Sequence, residues 1–184
     1  TQQLVKNTQL TSEKTFERKI KEVALAQKIE NMFSKDEILE LYLNVIYFGN
    51  NCYGIESASN YYFNKSAKDL NVEEAAMLAG MIKSPAKYSP IKNYANCLKR
   101  RNLVLNEMNK DGNLSIEKYN KAKNSEILLN LNTEKKNKLN SYSQMAIDEA
   151  EQILGIPSRQ IALNGYKIYT YQDKSKQDAL EKSF

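Results

Sequence analysis

The chain has 184 residues, 41% of them hydrophobic and 27% charged, enough for one domain or one domain with a small appendage. It contains no histidine, which excludes a Ser-His-Asp or Cys-His nucleophile system built within it and removes the commonest zinc ligand. A net charge of +5 suits an anionic partner. No aromatic-interleaved RNA motif or zinc-finger spacing accompanies that charge, so no nucleic-acid partner is expected.

No apolar run approaches the ~18 residues of a membrane span, and no signal peptide precedes Thr1. The chain reads as soluble, or as a soluble piece of something larger. Any chemistry must rest on carboxylates, Lys, Arg and amides. Cys52 and Cys97 lie far apart, and spacing leaves open one disulfide or two buried thiols.

Taken in order, the opening Thr1-Gln2-Gln3-Leu4-Val5-Lys6-Asn7 is polar and poorly explained as core. Residues 13–33 read as a helix, with Phe16, Ile20, Val23, Ala24 and Leu25 forming an apolar stripe and charges opposite. Ser34 to Glu37 is a capping box that opens a second helix through Leu43. An aromatic turn, Tyr47 to Asn51, leads to a short helix from Ile55 to Phe63. Asn71 to Glu74 is another capping box and opens a small-residue helix, whose small side chains predict close helix packing.

Pro85 and Pro90 mark an extended loop before an amphipathic helix from Tyr94 to Asn109, stopped by Asp111-Gly112. A short helix follows Ser115. Residues 124–140 are polar and read as a linker or loop. Residues 142–154 and 174–183 read as helices, and the alternating, tyrosine-rich stretch 166–171 reads as a strand.

On the first long helix Lys14, Arg18 and Glu22 are spaced i, i+4, i+8 and share one face, opposite the apolar stripe. Two cations and a carboxylate in a row suit a pyrophosphate and any metal ion bound with it. A solvated ladder of ion pairs is the plainer alternative. Ser-x-x-Lys, the transpeptidase signature, occurs at Ser84, Ser89 and Ser115. In so lysine-rich a chain these are chance matches, and the companion Lys-Thr-Gly pattern is incomplete.

Four motifs then resemble a known family. Residues 1–7 resemble the end of the second motif of the family 51 peptidoglycan glycosyltransferases. Arg18-Lys19-Ile20-Lys21-Glu22 resembles the third, Arg-Lys-x-x-Glu. Residues 35–44, running on through Tyr47-Phe48-Gly49 to Gly54-Ile55, resemble the fourth. Residues 74–79 with Pro85, Tyr88 and Pro90 resemble the fifth. The order and spacing over residues 1–110 are highly specific. The tail from Asn164 through Gln177 resembles, less specifically, the linker to the transpeptidase domain of class A (bifunctional) penicillin-binding proteins.

The resemblance implies a mainly α, lysozyme-like glycosyltransferase domain over 1–125, in part, and a small α/β linker segment over 126–184 toward a transpeptidase domain. It implies that the first motif, with the acid that activates the acceptor, and the membrane anchor would lie before Thr1. The reaction implied is inverting polymerisation of glycan strands from lipid II, with undecaprenyl pyrophosphate leaving, at the extracytoplasmic face of the cell membrane.

Glu22 would then orient the pyrophosphate contacts or hold a divalent metal ion (Mg or Mn). Gln2, Gln3, Lys6, Lys14 and Arg18 would bind pyrophosphate and sugar. Glu40, Asn44 and Gly49 would be structural, and Tyr42, Tyr47 and Phe48 core. Expected partners are lipid II, the growing glycan strand, the membrane surface and moenomycin-type inhibitors. The alternative is a non-catalytic basic helical module that binds anionic lipid or a cell-wall partner.

Overall fold

In the computed structural model, residues 1–8, 15–132, 141–158, 161 and 166–182 are described. The chain divides into two compact units, Thr1–Thr133 and Glu134–Phe184. The architecture is mainly α, with no strand among the described residues.

The first unit begins with α1 (Gln2–Thr8), which buries Leu4 and Val5. The polar opening is therefore helical, and its two apolar residues anchor it against the next two helices. In α2 (Phe16–Met32) Thr15 caps the N-terminus by accepting from the Arg18 amide. The residues α2 buries are Glu22 and Ala26. Phe16, Ile20 and Val23, read from the sequence as the core stripe, are 82%, 57% and 46% exposed. The expected orientation is thus reversed, because α1 and α3 pack on the side that carries Glu22.

The two capping boxes form as their spacing predicts. Ser34 and Glu37 exchange hydrogen bonds at the start of α3 (Lys35–Val45), and Asn71 and Glu74 do so at the start of α5 (Val72–Met81). Between them the chain makes a tight turn. Phe48 N donates to the Cys52 carbonyl and Tyr47 bridges Tyr53. Gly49 holds φ +85°, and a Cβ there would lie 3.2 Å from the Tyr62 hydroxyl. That hydroxyl belongs to α4 (Ile55–Phe63); it donates to the Phe48 carbonyl and accepts from Asn50. Burial holds the Tyr62 phenol well above its ordinary pKa.

A 3₁₀ turn, Ala67–Asp69, leads into α5, which packs along α6 (Tyr94–Lys110). The approach is close: a Cβ on Gly80 would sit 3.0 Å from Arg100 Cγ. One core gathers Phe48, Tyr62, Met77, Leu78 and Met81, and a smaller one joins Ala76, Leu105, Leu114 and Ala122 beside α7 (Ile116–Asn124). Cys52 and Cys97 are both free and buried, and burial raises the Cys97 thiol to about 11.

After α7 the chain returns to α4. Ile127 is buried, and the Asn130 and Asn132 amides donate to the Tyr62 and Tyr61 carbonyls. Residues 133–140 lie outside the described set. The second unit contains α8 (Ser141–Leu154) and α9 (Lys174–Lys182). Residues 166–171 form no ladder among the described residues. The strand read there from the sequence is therefore not formed among the described residues, and of the α/β reading of 126–184 only helices are seen.

Candidate active site

Of the residues singled out from the sequence, α1 and α2 bring several together. Glu22 is 4% exposed. Its Oε2 accepts from Arg18 Nη1 at 2.9 Å and its Oε1 from Lys19 Nζ at 2.5 Å. Lys19 Nζ also donates to Gln2 Oε1 at 3.0 Å, tying α1 to α2. The Lys19 hydrogen bond, opposed by burial and helped by Arg18, holds the Glu22 carboxyl below its ordinary range. Glu22 is therefore an anion clasped by two cations.

Gln3 lies on another side of α1, where its Oε1 accepts from Tyr42 of α3 at 2.9 Å. The Tyr42 phenol is held above its ordinary pKa by burial and so stays a donor. Lys6 is exposed. Arg18 Nε is buried and has no hydrogen-bond partner among the described residues. Lys14 lies outside the described residues.

Of the fourth-motif residues, Tyr42 reaches this cluster through Gln3. Glu40 and Asn44 are exposed. The closure of the turn falls to backbone instead: Gly54 N donates to the Ile46 carbonyl, and Gly54 lies against the Asn44 carbonyl. Phe48 is fully buried, as read from the sequence, whereas Tyr42 and Tyr47, read as core, are half-buried.

Two contributors went unassigned in the sequence reading. Lys19 stands inside Arg-Lys-x-x-Glu at i, i+3 from Glu22, a spacing that places both on one face. Tyr42 had no such signal, because its tie to Gln3 spans 39 residues.

The described residues do not fit a resident divalent metal. Both Glu22 oxygens are engaged by cations, and no group of three His, Cys, Asp or Glu among the described residues is placed to hold an ion. No helix among them is long and apolar enough to cross a membrane.

The site is thus a helical surface on which Arg18 and Lys19 clasp the buried Glu22 carboxylate, with Gln2 tied to Lys19. The chain matches the Transglycosylase family over residues 1–109, and it belongs to that family. It is 44% identical over 184 residues to penicillin-binding protein 1A of Aquifex aeolicus, covering 100% of this chain and 25% of that protein. It is 42% identical over 178 residues to penicillin-binding protein 1F of Bacillus subtilis, covering 96% of this chain and 25% of that one. The chain thus spans about a quarter of the length of these relatives. The crystal structure of penicillin-binding protein 1A from Haemophilus influenzae superposes with a TM-score of 0.52 at 33% identity, over 66% of this chain and 18% of that one. The mainly α, lysozyme-like reading of the fold agrees with that match.

Proposed function

We propose that the α1–α2 cluster is the leaving-group side of a peptidoglycan glycosyltransferase site. The observation that carries this is Arg18 Nε, a buried donor with no partner among the described residues, beside a carboxylate that already holds two cations. Such a donor costs about 1–3 kcal/mol unless an acceptor arrives, and a pyrophosphate oxygen supplies one.

In this reading lipid II and the growing glycan strand are the substrates. A 4-hydroxyl attacks the anomeric carbon, the configuration inverts and undecaprenyl pyrophosphate departs. Arg18, Lys6 and Lys14 offset the charge that develops on the departing phosphates. Glu22 holds Arg18 and Lys19 in place. Gln2 and Gln3, each with its oxygen engaged, offer amide hydrogens to sugar or phosphate oxygens. Gly49, with Glu40 and Asn44, supports the fourth-motif turn. No step is routed through a metal ion.

In this reading the acid that activates the acceptor belongs to the family's first motif, which is not among the four motifs that residues 1–110 resemble. Residues 1–125 belong to the glycosyltransferase domain and 126–184 lead toward a transpeptidase domain. The exposed Phe16, Ile20 and Val23 support a membrane surface as partner, on the extracytoplasmic face. Moenomycin-type inhibitors would occupy the same cluster.

The test is Arg18→Gln in a full-length enzyme carrying this domain. Glycan polymerisation should fall about a hundredfold or more, well beyond any loss of folded protein that thermal denaturation registers when the Glu22 carboxylate loses one of its cations. Unchanged turnover would sink the assignment and leave Arg18 and Glu22 a structural ion pair.

A further inference from the structure

A groove of about 420 Å³ runs between α6 and α7, lined by Lys99, Asn102, Leu103, Asn106, Tyr119 and Lys123. Neither helix carries a residue of the α1–α2 cluster. One of the groove's polar groups, Asn102, is oriented from below the surface. Arg101, 0% exposed, donates through Nε at 3.1 Å and Nη2 at 3.0 Å to Asn102 Oδ1. A guanidinium has no acceptor, so the Asn102 oxygen must face it, and Nδ2 is turned the other way as a donor. Asn106 spends an amide hydrogen on Glu107 Oε1 at 3.2 Å, which leaves its Oδ1 as an acceptor.

Lys123 Nζ lies 5.4 Å from the centroid of the Tyr119 ring. Lys99 and Lys123 make no ion pair among the described residues. Among the described residues no carboxylate lines the groove, and Glu107, which touches Asn106 at its edge, is paired with Lys110. An oriented amide donor, an amide acceptor, an aromatic ring and an apolar side chain suit a pyranose, which has alternating hydroxyls and an apolar face. The two ammoniums add a demand for negative charge. No arginine lines the groove, so the planar fork that favours phosphate is missing from it.

We propose that the α6–α7 groove binds a carboxylate-bearing saccharide. The assignment stands on these side chains and is independent of the reading of the α1–α2 cluster. Arg101 is the positioning residue that sets the Asn102 amide.

The test uses the 184-residue chain and N-acetylmuramic acid as probe, followed by NMR of the Asn102 and Asn106 side-chain amides and the Tyr119 ring. These signals should shift saturably. N-acetylglucosamine, which lacks the lactyl carboxylate, should bind about fivefold more weakly, and acetate should leave the signals unmoved. The Lys99→Gln/Lys123→Gln double variant, shown folded by circular dichroism, should lose the preference for the acidic sugar. Absence of shifts at these residues would overturn the proposal. So would inorganic phosphate or acetate alone producing the same shifts, which would reduce the groove to a nonspecific cationic patch.

Discussion

Lys19 Nζ on α2 donates to Gln2 Oε1 on α1 at 3.0 Å, and this contact joins the second-motif residues to the third. An ammonium has no acceptor, so the bond also settles which end of the Gln2 amide faces outward. The same ammonium reaches Glu22, which makes the junction sensitive to acid.

Glu22 has a folded-state pKa below the ordinary 4.5, through the Lys19 bond first, against burial, and then the Arg18 bond. A depressed carboxylate contributes stability that is fully present above its unfolded-state pKa. That stability is lost as pH falls through the lower folded value. The α1–α2 junction should therefore release at a lower pH than an ordinary glutamate would set. A carboxyl-carbon NMR titration of Glu22 should show a midpoint under 4.5, and Glu22→Gln should abolish that acid-dependent transition. A midpoint at or above 4.5 would mean the clasp does not hold in solution.

Gly54 should tolerate no side chain. It sits at φ 84° and ψ 150°, a region open essentially to glycine alone, and a Cβ would lie 2.6 Å from the Asn44 carbonyl oxygen. Gly54→Ala should cost at least about 1–3 kcal/mol from backbone strain, with the clash added. Gly112, also at positive φ but with nothing within 4 Å, provides the comparison. Thermal denaturation should show a clearly larger loss for Gly54→Ala than for Gly112→Ala.

The helices were legible because their signals are local. Ser34 with Glu37, and Asn71 with Glu74, announce helix starts within four residues, and both capping boxes form. The third motif likewise exposed Arg18 and Glu22 as a pair. What escaped was set by tertiary packing. The stripe Phe16, Ile20 and Val23 has the right period for a core face, yet α1 docks on the side that holds Glu22 and leaves the stripe outward. Periodicity reports that two faces differ; it does not say which one a neighbour will cover. The helicity of residues 2–8 escaped for a related reason: its anchor is the burial of Leu4 and Val5 against other helices.

Arg101 escaped altogether, because nothing in Arg100-Arg101 distinguishes the buried cation from the half-buried one. Its Nη1 donates to the Ser125 carbonyl at 2.8 Å and its Nη2 to the Lys123 carbonyl at 3.0 Å, satisfying the C-terminal end of α7. Arg101→Met removes these two bonds and the two to Asn102 Oδ1, and strands two carbonyls. It should cost about 3 kcal/mol, less whatever the methionine regains by packing. Arg101→Lys should rescue little, since one ammonium does not reproduce the fork. Chemical denaturation measures the loss, and hydrogen exchange should rise at residues 125–127 in both variants. Wild-type stability in Arg101→Met would show that the guanidinium contributes nothing net.

The last prediction concerns residues 166–171. Three tyrosines, an isoleucine and a threonine in six residues give strong strand propensity. Yet the segment has no ladder among the described residues, and Tyr169 and Tyr171 are 86% and 103% exposed. A stretch of this composition that lies outside any ladder is a template for pairing with another chain. Amides 167–171 should therefore exchange rapidly in dilute, demonstrably monomeric protein, and gain protection as concentration rises and copies pair. Tyr169→Lys, which puts a charge on the edge, should suppress that concentration dependence while leaving the α5–α6 amides as protected as before. Strong protection at 167–171 in the dilute monomer would show that the segment is already paired within the chain, and the reading of a strand awaiting outside partners would fall.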